Sequence, residues 1–578
     1  MSLVFTDSIK TYTIDQDKAV SPKETVARVR DRLKQVNGEI LRDVVRIDKG
    51  RLGIPVYMSI CGTEAREVVG TIKQMGKGGT PEQAEASALM ELMERYSLFS
   101  FMNGSFVCSE AGALQGDVAP LEALMQSVHD DPGNAHELEK AGGIWSTLPL
   151  YWTRAYDLTH NKEVWLPFQW FYMLNEYNGS SAGNTLTEAA LQGLCEVVER
   201  HVSSVVTNGN LYTPAVDLSS VKDPMARELI TKYDSKGINL YVKDFTLETG
   251  IPTIAALAMD PATFPEKSEI VYTAGTATHP EKALIRALTE IAQLAGDFDT
   301  EGRYAESGLP KFSGLEDARY VTETRNNACI GDMPDVSHSN QRVELEQCVQ
   351  ALAEKGFTVY AVDITHPVLR IPAVYMIVPG AHFRERTRDN SFCLHAAKLV
   401  SQFPDSRRAV YELERMKTIY PDHYEVHFFL GYTYEREGRY DEALACYERA
   451  LALDTTGKER ASLYCQRGVC YKEMGDLRQA LAELEKAREC NAELKEIHNL
   501  MGFCHFKLKD HVQSIACFEK AIDLDPSSAI DYANIGSNLR EMGHIAEAIR
   551  YYQFALDIDP SIDFARENIE KLSRQALS

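Results

Sequence analysis

The sequence predicts a two-part chain: a mixed α/β (α+β) domain over residues 1–390 and an all-α helical solenoid over 423–578, joined by a linker with degenerate helices at 391–422. Three observations predict it. Short β-branched runs interleave with longer helical patterns through the first part, three capped helices there share one apolar spacing, and a repeat close to 34 residues fills the C-terminal part.

With 578 residues, 44% hydrophobic and 25% charged, the chain can bury more than one core. A formal net charge of −23 lacks the Lys/Arg excess that drives non-specific binding to nucleic acid or an anionic membrane, so neither is expected as a partner. There is no run of about 18 apolar residues, and "MSLVFTDSIKTYTIDQDK" has no charged-then-apolar leader pattern. A cytoplasmic protein is expected. The twelve cysteines form no CxxC pair, which favours buried reduced thiols, and Cys465 and Cys470 read as packing residues.

In chain order, strands are expected within "LGIPVYMSICG" (52–62), "LYVKDFTL" (240–247), "EIVYTAGTA" (269–277), "FTVYAVDIT" (357–365) and "IPAVYMIVPG" (371–380). Between them lie three loop-to-helix units. In "GKGGTPEQAEASALMELMERY", Thr80 caps, Pro81 suits the first turn and Gln83 completes a Thr-x-x-Gln box. In "NGSSAGNTLTEAALQGLCEVVERHV", Thr185 and Glu188 take those roles, and in "GTATHPEKALIRALTEIAQLAG" Thr278 and Glu281 do. The segment 381–404 reads as the junction to the repeats.

Apolar residues at spacings of three and four seat each helix on a core: Leu89, Leu92, Met93 and Tyr96; Leu194, Val197 and Val198; Leu284, Ile285, Leu288 and Ile291. The polar residues therefore gather in strips: Ser87, Glu91, Glu94 and Arg95; Glu188, Gln192, Glu196, Glu199 and Arg200; Arg286, Glu290 and Gln293. A single Glu-x-x-Glu-Arg helix is most often a solvated face. Three such helices after Gly-, Ser- or Thr-rich loops point further, because clustered carboxylates suit Mg²⁺ and loop amides at helix N-termini suit phosphate. The combination suggests a nucleoside triphosphate held through metal, with Glu91, Glu94, Glu188, Glu196, Glu199 and Glu290 around one cavity.

Other chemistries lack their motifs. "GKGGT" is not GxxxxGK[ST], and no HRD/DFG set, HExxH helix or strand-end GxGxxG exists. "GSSAG" (179–183) spells GxSxG, but the polar "NEYN" before it is a poor nucleophile-elbow strand.

From about residue 423, Gly431, Gly468, Gly502 and Gly536 mark first helices at intervals of 37, 34 and 34 residues. Twelve residues later the second helix carries Ala443, Ala480, Ser514 or Ala548 at a close-packing position, and Pro526 and Pro560 end two of the helices. This is the tetratricopeptide pattern of stacked helical hairpins. Residues 405–420 read as an earlier degenerate helix and "SIDFARENIEKLSRQAL" as the cap.

"SALMELMER", "SSAGNTLTEAALQGLCEVVER", "HPEKALIRALTEIAQ" and "IPAVYMIVPG" together resemble the YcaO superfamily over about residues 15–385. The resemblance implies a YcaO-type ATP-binding fold whose helix carboxylates hold Mg²⁺ bridging the triphosphate, with ATP and Mg²⁺ as cofactors. Carried over residue by residue, it implies metal contacts for Glu91, Glu94, Glu188, Glu196, Glu199 and Glu290. It implies nucleotide contacts for Lys18, Thr25, Ser181, Asn184, Arg200 and Arg286, with Arg200, Arg286 and Glu199 acting in the chemistry. By themselves Lys18 and Thr25 read only as a surface lysine and a helix cap; Thr25 stands where the family more commonly has Ser.

The implied reaction activates a peptide or protein backbone amide: a Cys, Ser or Thr side chain or a sulfur donor attacks the carbon, ATP phosphorylates the oxygen, and an azoline or thioamide results. The chain departs from azoline-forming members in ending "EKLSRQALS" rather than in a proline-rich tail, and no leader-recognition domain is expected at its N-terminus. Both departures weaken the azoline reading and leave room for thioamide formation, or for the members linked to ribosomal-protein modification. The repeats are expected to dock a peptide, protein substrate or accessory protein, or else to form a homodimer. A second function of another class is a non-catalytic scaffold or accessory factor, for example in ribosomal-protein modification, in which the repeats do the work and ATP is bound without turnover.

Overall fold

The computed structural model describes residues 3–576 apart from 37, 105, 300–311, 384–389 and 454. It forms two compact units, Met1–Phe392 and Cys393–Ser578.

The strands of the first unit are β1 (Leu41–Arg46), β2 (Val56–Cys61), β3 (Lys73–Lys77), β4 (Val107–Ser109), β5 (Leu150–Asp157), β6 (Lys162–Pro167) and β7 (Ser180–Ala182). They continue as β8 (Ala215–Asp217), β9 (Asn239–Asp244), β10 (Thr253–Met259), β11 (Val271–Thr276), β12 (Asn327–Cys329), β13 (Tyr360–Asp363) and β14 (Ala373–Ile377). They make three sheets, ordered β1-β2-β3, β11-β10-β9-β8-β12 and β4-β5-β13-β14-β7 with β6 beside β5. Pairing is antiparallel except between β8 and β12, so the mixture of helix and strand is of the α+β kind. Each of the five apolar runs read as strands contains one.

Three long helices carry the polar strips. The helix Pro81–Met102 packs Leu89, Leu92, Met93 and Tyr96 against Ile40 and Cys61 of the three-stranded layer. It lies so close to β3 that a Cβ on Gly76 would stand 2.1 Å from Ala88 N. The helices Leu186–Gly209 and Pro280–Ala295 sandwich the five-stranded sheet. Ala255, Leu257 and Met259 of β10 join the core of the first, and Ile254, Ala256 and Ala258 that of the second. Every β10 side chain is buried, as expected of a strand covered on both faces.

Two of the three caps form at the expected threonine, Thr80 Oγ1 accepting from Gln83 N at 3.2 Å and Thr185 Oγ1 from Glu188 N at 3.0 Å, but without the reciprocal half of the box: Thr80 N donates to Asp15 and the Glu188 carboxylate is engaged by Ala19 and Asn184. The third does not. His279 caps Pro280–Ala295, accepting from Glu281 N, because the Thr278 hydroxyl donates instead to the buried carboxylate of Glu344 at 2.7 Å.

In the second unit, helices Phe392–Ser401 and Ser406–Ile419 occupy most of what reads as linker, the former starting at the unit boundary. Arg384 to Asp389 of the junction lie outside the described residues. Four hairpins follow: Tyr424–Arg436 with Tyr440–Leu451, Gly457–Glu473 with Leu477–Cys490, Lys495–Lys507 with His511–Leu524, and Ala529–Glu541 with Ile545–Ile558. Asp563–Ala576 closes the stack. A Cβ on Gly431, Gly468, Gly502 or Gly536 would meet Tyr447, Leu484, Phe518 or Tyr552 within 3.0 Å. Each glycine seats the large residue sixteen positions on, which is why the period is visible at all. Cys465 and Cys470 are buried thiols.

Candidate functional site

The strips converge in the first unit. On Pro81–Met102, Arg95 donates to Glu91 Oε1 from Nε (3.0 Å) and Nη2 (2.7 Å), and its Nη1 lies 3.5 Å from Glu94 Oε1. Ser180 of β7 donates to Glu94 Oε1 at 2.7 Å, and the Arg95 guanidinium stacks 4.3 Å from the Tyr177 ring centre. Burial, then the neighbouring Glu91 charge and that of Glu196, push the Glu94 carboxyl well above its ordinary range. Burial raises Glu196 too, with Arg200 and Arg95 opposing and Glu91 and Glu199 adding to the rise. Carboxylates from two helices are thus held close enough to resist joint ionisation.

One turn further along Leu186–Gly209, Glu199 Oε2 accepts from Thr276 N at the end of β11 (3.0 Å) and faces Arg286 Nη2 at 3.8 Å. Arg286 Nη1 donates to Gln192 Oε1 at 3.0 Å, and Arg200 Nη2 stands 3.6 Å from Glu196 Oε1. These ion pairs are long, and both Arg200 Nε and Arg286 Nε are buried without an acceptor. Glu290 contacts Lys77 Nζ at the end of β3. Burial and the Arg286 and Arg200 guanidiniums lower the Lys77 amine from its ordinary value, against Glu199 and Glu91.

Glu188 lies elsewhere on the strip. Eleven residues separate it from Glu199, ~16 Å along a helix axis, so the expected single ring becomes an elongated row. Its carboxylate accepts from Ala19 N (2.8 Å), Asn184 N (3.1 Å) and Asn184 Nδ2 (3.0 Å). Thr25 Oγ1 in turn donates to Asn184 Oδ1 at 3.0 Å. Glu188 thereby ties down the segment carrying Lys18, and Lys18, Glu188, Gln192, Thr276, Arg286 and Glu344 line one cleft. Ser181 turns away: its hydroxyl donates to the Ala189 carbonyl inside the helix, which also disposes of a nucleophile elbow.

Before the first two of the three helices, loop amides expected to form open anion sites are already taken. Asp15, fully buried, accepts from Gly79 N at 2.8 Å and Thr80 N at 3.3 Å, and Glu188 takes the Asn184 amide. Internal carboxylates already satisfy those dipoles. The side-chain cations near these groups are Lys18, Lys77, Arg200 and Arg286.

Among the described residues no three His, Cys, Asp or Glu side chains form a ready-made metal cage. The donor set nevertheless fits a cation with a polyphosphate: crowded carboxylates need positive charge, and two buried guanidinium N–H groups need acceptors. Sequence reasoning missed Lys77, met only while rejecting a P-loop, and also Asp15, Tyr177, Thr276 and Glu344. For Lys77 the signal was its place at a strand end leading into the first strip.

The profile of the family described as YcaO cyclodehydratase, ATP- and Mg²⁺-binding, matches residues 75–382, just over half of the 578 residues. The chain belongs to the YcaO family. Tetratricopeptide profiles match 424–493 and 494–561. An uncharacterized protein of Methanothermobacter thermautotrophicus is 29% identical over 386 residues, covering 63% of this YcaO chain and 94% of the relative. The ribosomal protein S12 methylthiotransferase accessory factor YcaO of Escherichia coli is 28% identical over 372 residues, 57% of this chain and 62% of that one. A heterocyclase solved in complex with substrate and cofactor superposes with TM-score 0.53 at 23% identity, covering 66% of this chain; the chain spans 54% of that protein, about half its length, and the likeness shows a shared fold. The YcaO domain is one that binds ATP and Mg²⁺.

Proposed function

We propose that the protein is an ATP- and Mg²⁺-dependent enzyme that activates a backbone amide of a peptide or protein, giving a thioamide or an azoline. One observation carries the reading: Glu91, Glu94, Glu196 and Glu199 meet Arg95, Arg200 and Arg286 from three helices, Glu290 meets Lys77 beside them, and two guanidinium N–H groups lack acceptors.

In this reading Glu91, Glu94, Glu196, Glu199 and Glu290 hold cations, while Lys18, Arg200 and Arg286 hold phosphate oxygens. Bound ATP with Mg²⁺ supplies a phosphoryl group that turns the amide oxygen into a leaving group. Phosphoryl transfer depends on positioning and charge neutralisation rather than on a protein nucleophile, and the arginines meet that need. Gln192 orients Arg286, and Thr276 N fixes Glu199. Thr25, Asn184 and Glu188 act at one remove, fixing the segment that presents Lys18. The repeats recruit the peptide, or a sulfur-donor or accessory protein. No helix among the described residues is long and apolar enough to cross a membrane, and the cytoplasm is the proposed compartment.

The test is a thermal shift with ATP and Mg²⁺, followed by mass spectrometry of proteins captured by the full chain. Stabilisation lost in Glu199→Gln, with sulfur-for-oxygen exchange or loss of water in a captured protein, is expected. No stabilisation in the wild type refutes the proposal. The accessory-factor name of the Escherichia coli relative favours a second reading, ATP binding without turnover; tight binding with no phosphate release on any candidate substrate would select it.

A further inference from the structure

Lys77 is a cation in the site that belongs to none of the three strips. It ends β3, its register fixed opposite Val56 by the sheet, and the close approach of Gly76 to Ala88 brings that strand end against the first site helix. Its Nζ contacts Glu290 of the third helix. Glu91, Glu199, Arg200 and Arg286 act on it electrostatically, so each of the three helices brings charge to bear on it. Lys77 thus stands among carboxylates (Glu91, Glu199, Glu290) and guanidiniums (Arg200, Arg286) of a site that holds more carboxylates than cations, and its ammonium lessens that excess.

A divalent cation at Glu290 would upset the balance in one direction and a triphosphate in the other. An ammonium on a flexible stem can answer both without backbone motion, since it is a point charge with rotatable donors. Lys77 and Glu290 are each about a quarter exposed, at 24% and 23%, so the pair lies at the rim where an incoming ion reaches it.

We propose that Lys77 is the resident counter-ion of the site: it holds Glu290 until a metal ion arrives, then passes its ammonium to the phosphates of the nucleotide. The inference rests on the metal–triphosphate reading of the site and is independent of which amide is modified. Glu290 is thereby kept from nonspecific cations, and metal loading is coupled to nucleotide loading through one side chain.

The experiment uses the full chain. Reductive methylation, quantified by mass spectrometry at Lys77, is compared for the protein alone, with Mg²⁺, and with Mg²⁺ plus a non-hydrolysable ATP analogue. Labelling is expected to rise with Mg²⁺ alone and to fall below the starting level with the analogue. In titration calorimetry Lys77→Met should bind Mg²⁺ alone about threefold tighter and the metal-free analogue about threefold weaker, the scale of one partly exposed ion pair. Lys77→Arg should keep analogue binding.

Labelling that ignores Mg²⁺ in a wild-type protein that binds the metal–analogue complex overturns the inference and leaves the proposed function standing. Parallel weakening of both ligands in Lys77→Met marks the lysine as a structural post and overturns it too. Absence of metal–analogue binding in the wild type overturns both readings. The labelling arm needs no variant to fold.

Discussion

Buried polar groups in the two units find their partners over different distances, at most one hairpin away for Asp531 of the repeats, which accepts from Asn499. In the repeats, Arg467 Nε donates to Glu483 Oε2 at 2.7 Å and the Ser514 hydroxyl to the Gly502 carbonyl at 2.8 Å, partners 16 and 12 residues apart within one hairpin. In the YcaO unit, Glu199 meets Thr276 across 77 residues, Glu94 meets Ser180 across 86, and Lys10 meets Glu344 across 334. Those distant partners still leave Arg200 Nε and Arg286 Nε without acceptors. Polarity satisfied inside a hairpin is part of packing; polarity gathered from afar and left incomplete marks a place for a ligand.

The comparison is tested most severely at the glycines. Gly76→Ala puts a methyl into backbone, 2.1 Å from Ala88 N and 2.5 Å from Ala84 O, so neither neighbour can step aside. A loss of about 3 kcal/mol or more is expected in chemical denaturation of the YcaO unit, the upper range for overpacking. Glu199→Gln comes next. It keeps an acceptor for Thr276 N but removes a charge, and should weaken ATP–Mg²⁺ binding by about a hundredfold in titration calorimetry with little change in far-UV dichroism.

Gly431→Ala sharpens the contrast, because its obstacle is the Tyr447 ring, 2.6 Å away, a side chain that can yield. About 1–2 kcal/mol is expected there, read as an earlier melting of the repeats. Smallest is Glu94→Gln. The folded Glu94 carboxyl titrates above its unfolded value, so the native protein binds the extra proton. Metal-free wild type therefore gains stability as pH falls through the folded value and levels off below about 4.5, the ordinary carboxyl value. The variant should be modestly more stable than wild type at neutral pH, show a shallower pH slope with Glu196 retaining its share, and bind metal–nucleotide more weakly. A slope unchanged in Glu94→Gln would show that the carboxylate crowding is relieved elsewhere.

What could be read from the sequence follows the same division. The repeats announce themselves because each glycine answers to a large residue at a fixed offset in the same hairpin. The three strips were visible because a helix displays its polar face at a period the sequence preserves. β10 was not, since a strand buried on both faces shows no alternation, and "TIAALAM" could equally be a piece of helix. The cap at His279 rather than Thr278 depended on Glu344, 66 residues away. Asp15 filling the amides before the first helix and Lys77 reaching Glu290 were hidden for the same reason: no local pattern records a partner supplied by another segment.

The N-terminal strap also imposes an order of events during synthesis. Ser8 bonds Asn340 and Gln341, and Lys10 bonds Glu344, partners 332 to 334 residues downstream. At roughly 5–20 residues per second of translation, Ser8 and Lys10 wait on the order of tens of seconds for the helix that anchors them. Lys18, carried on that strap, reaches the cleft only when the domain is almost wholly made. A nascent chain that stops short of Glu344 therefore lacks the complete cleft.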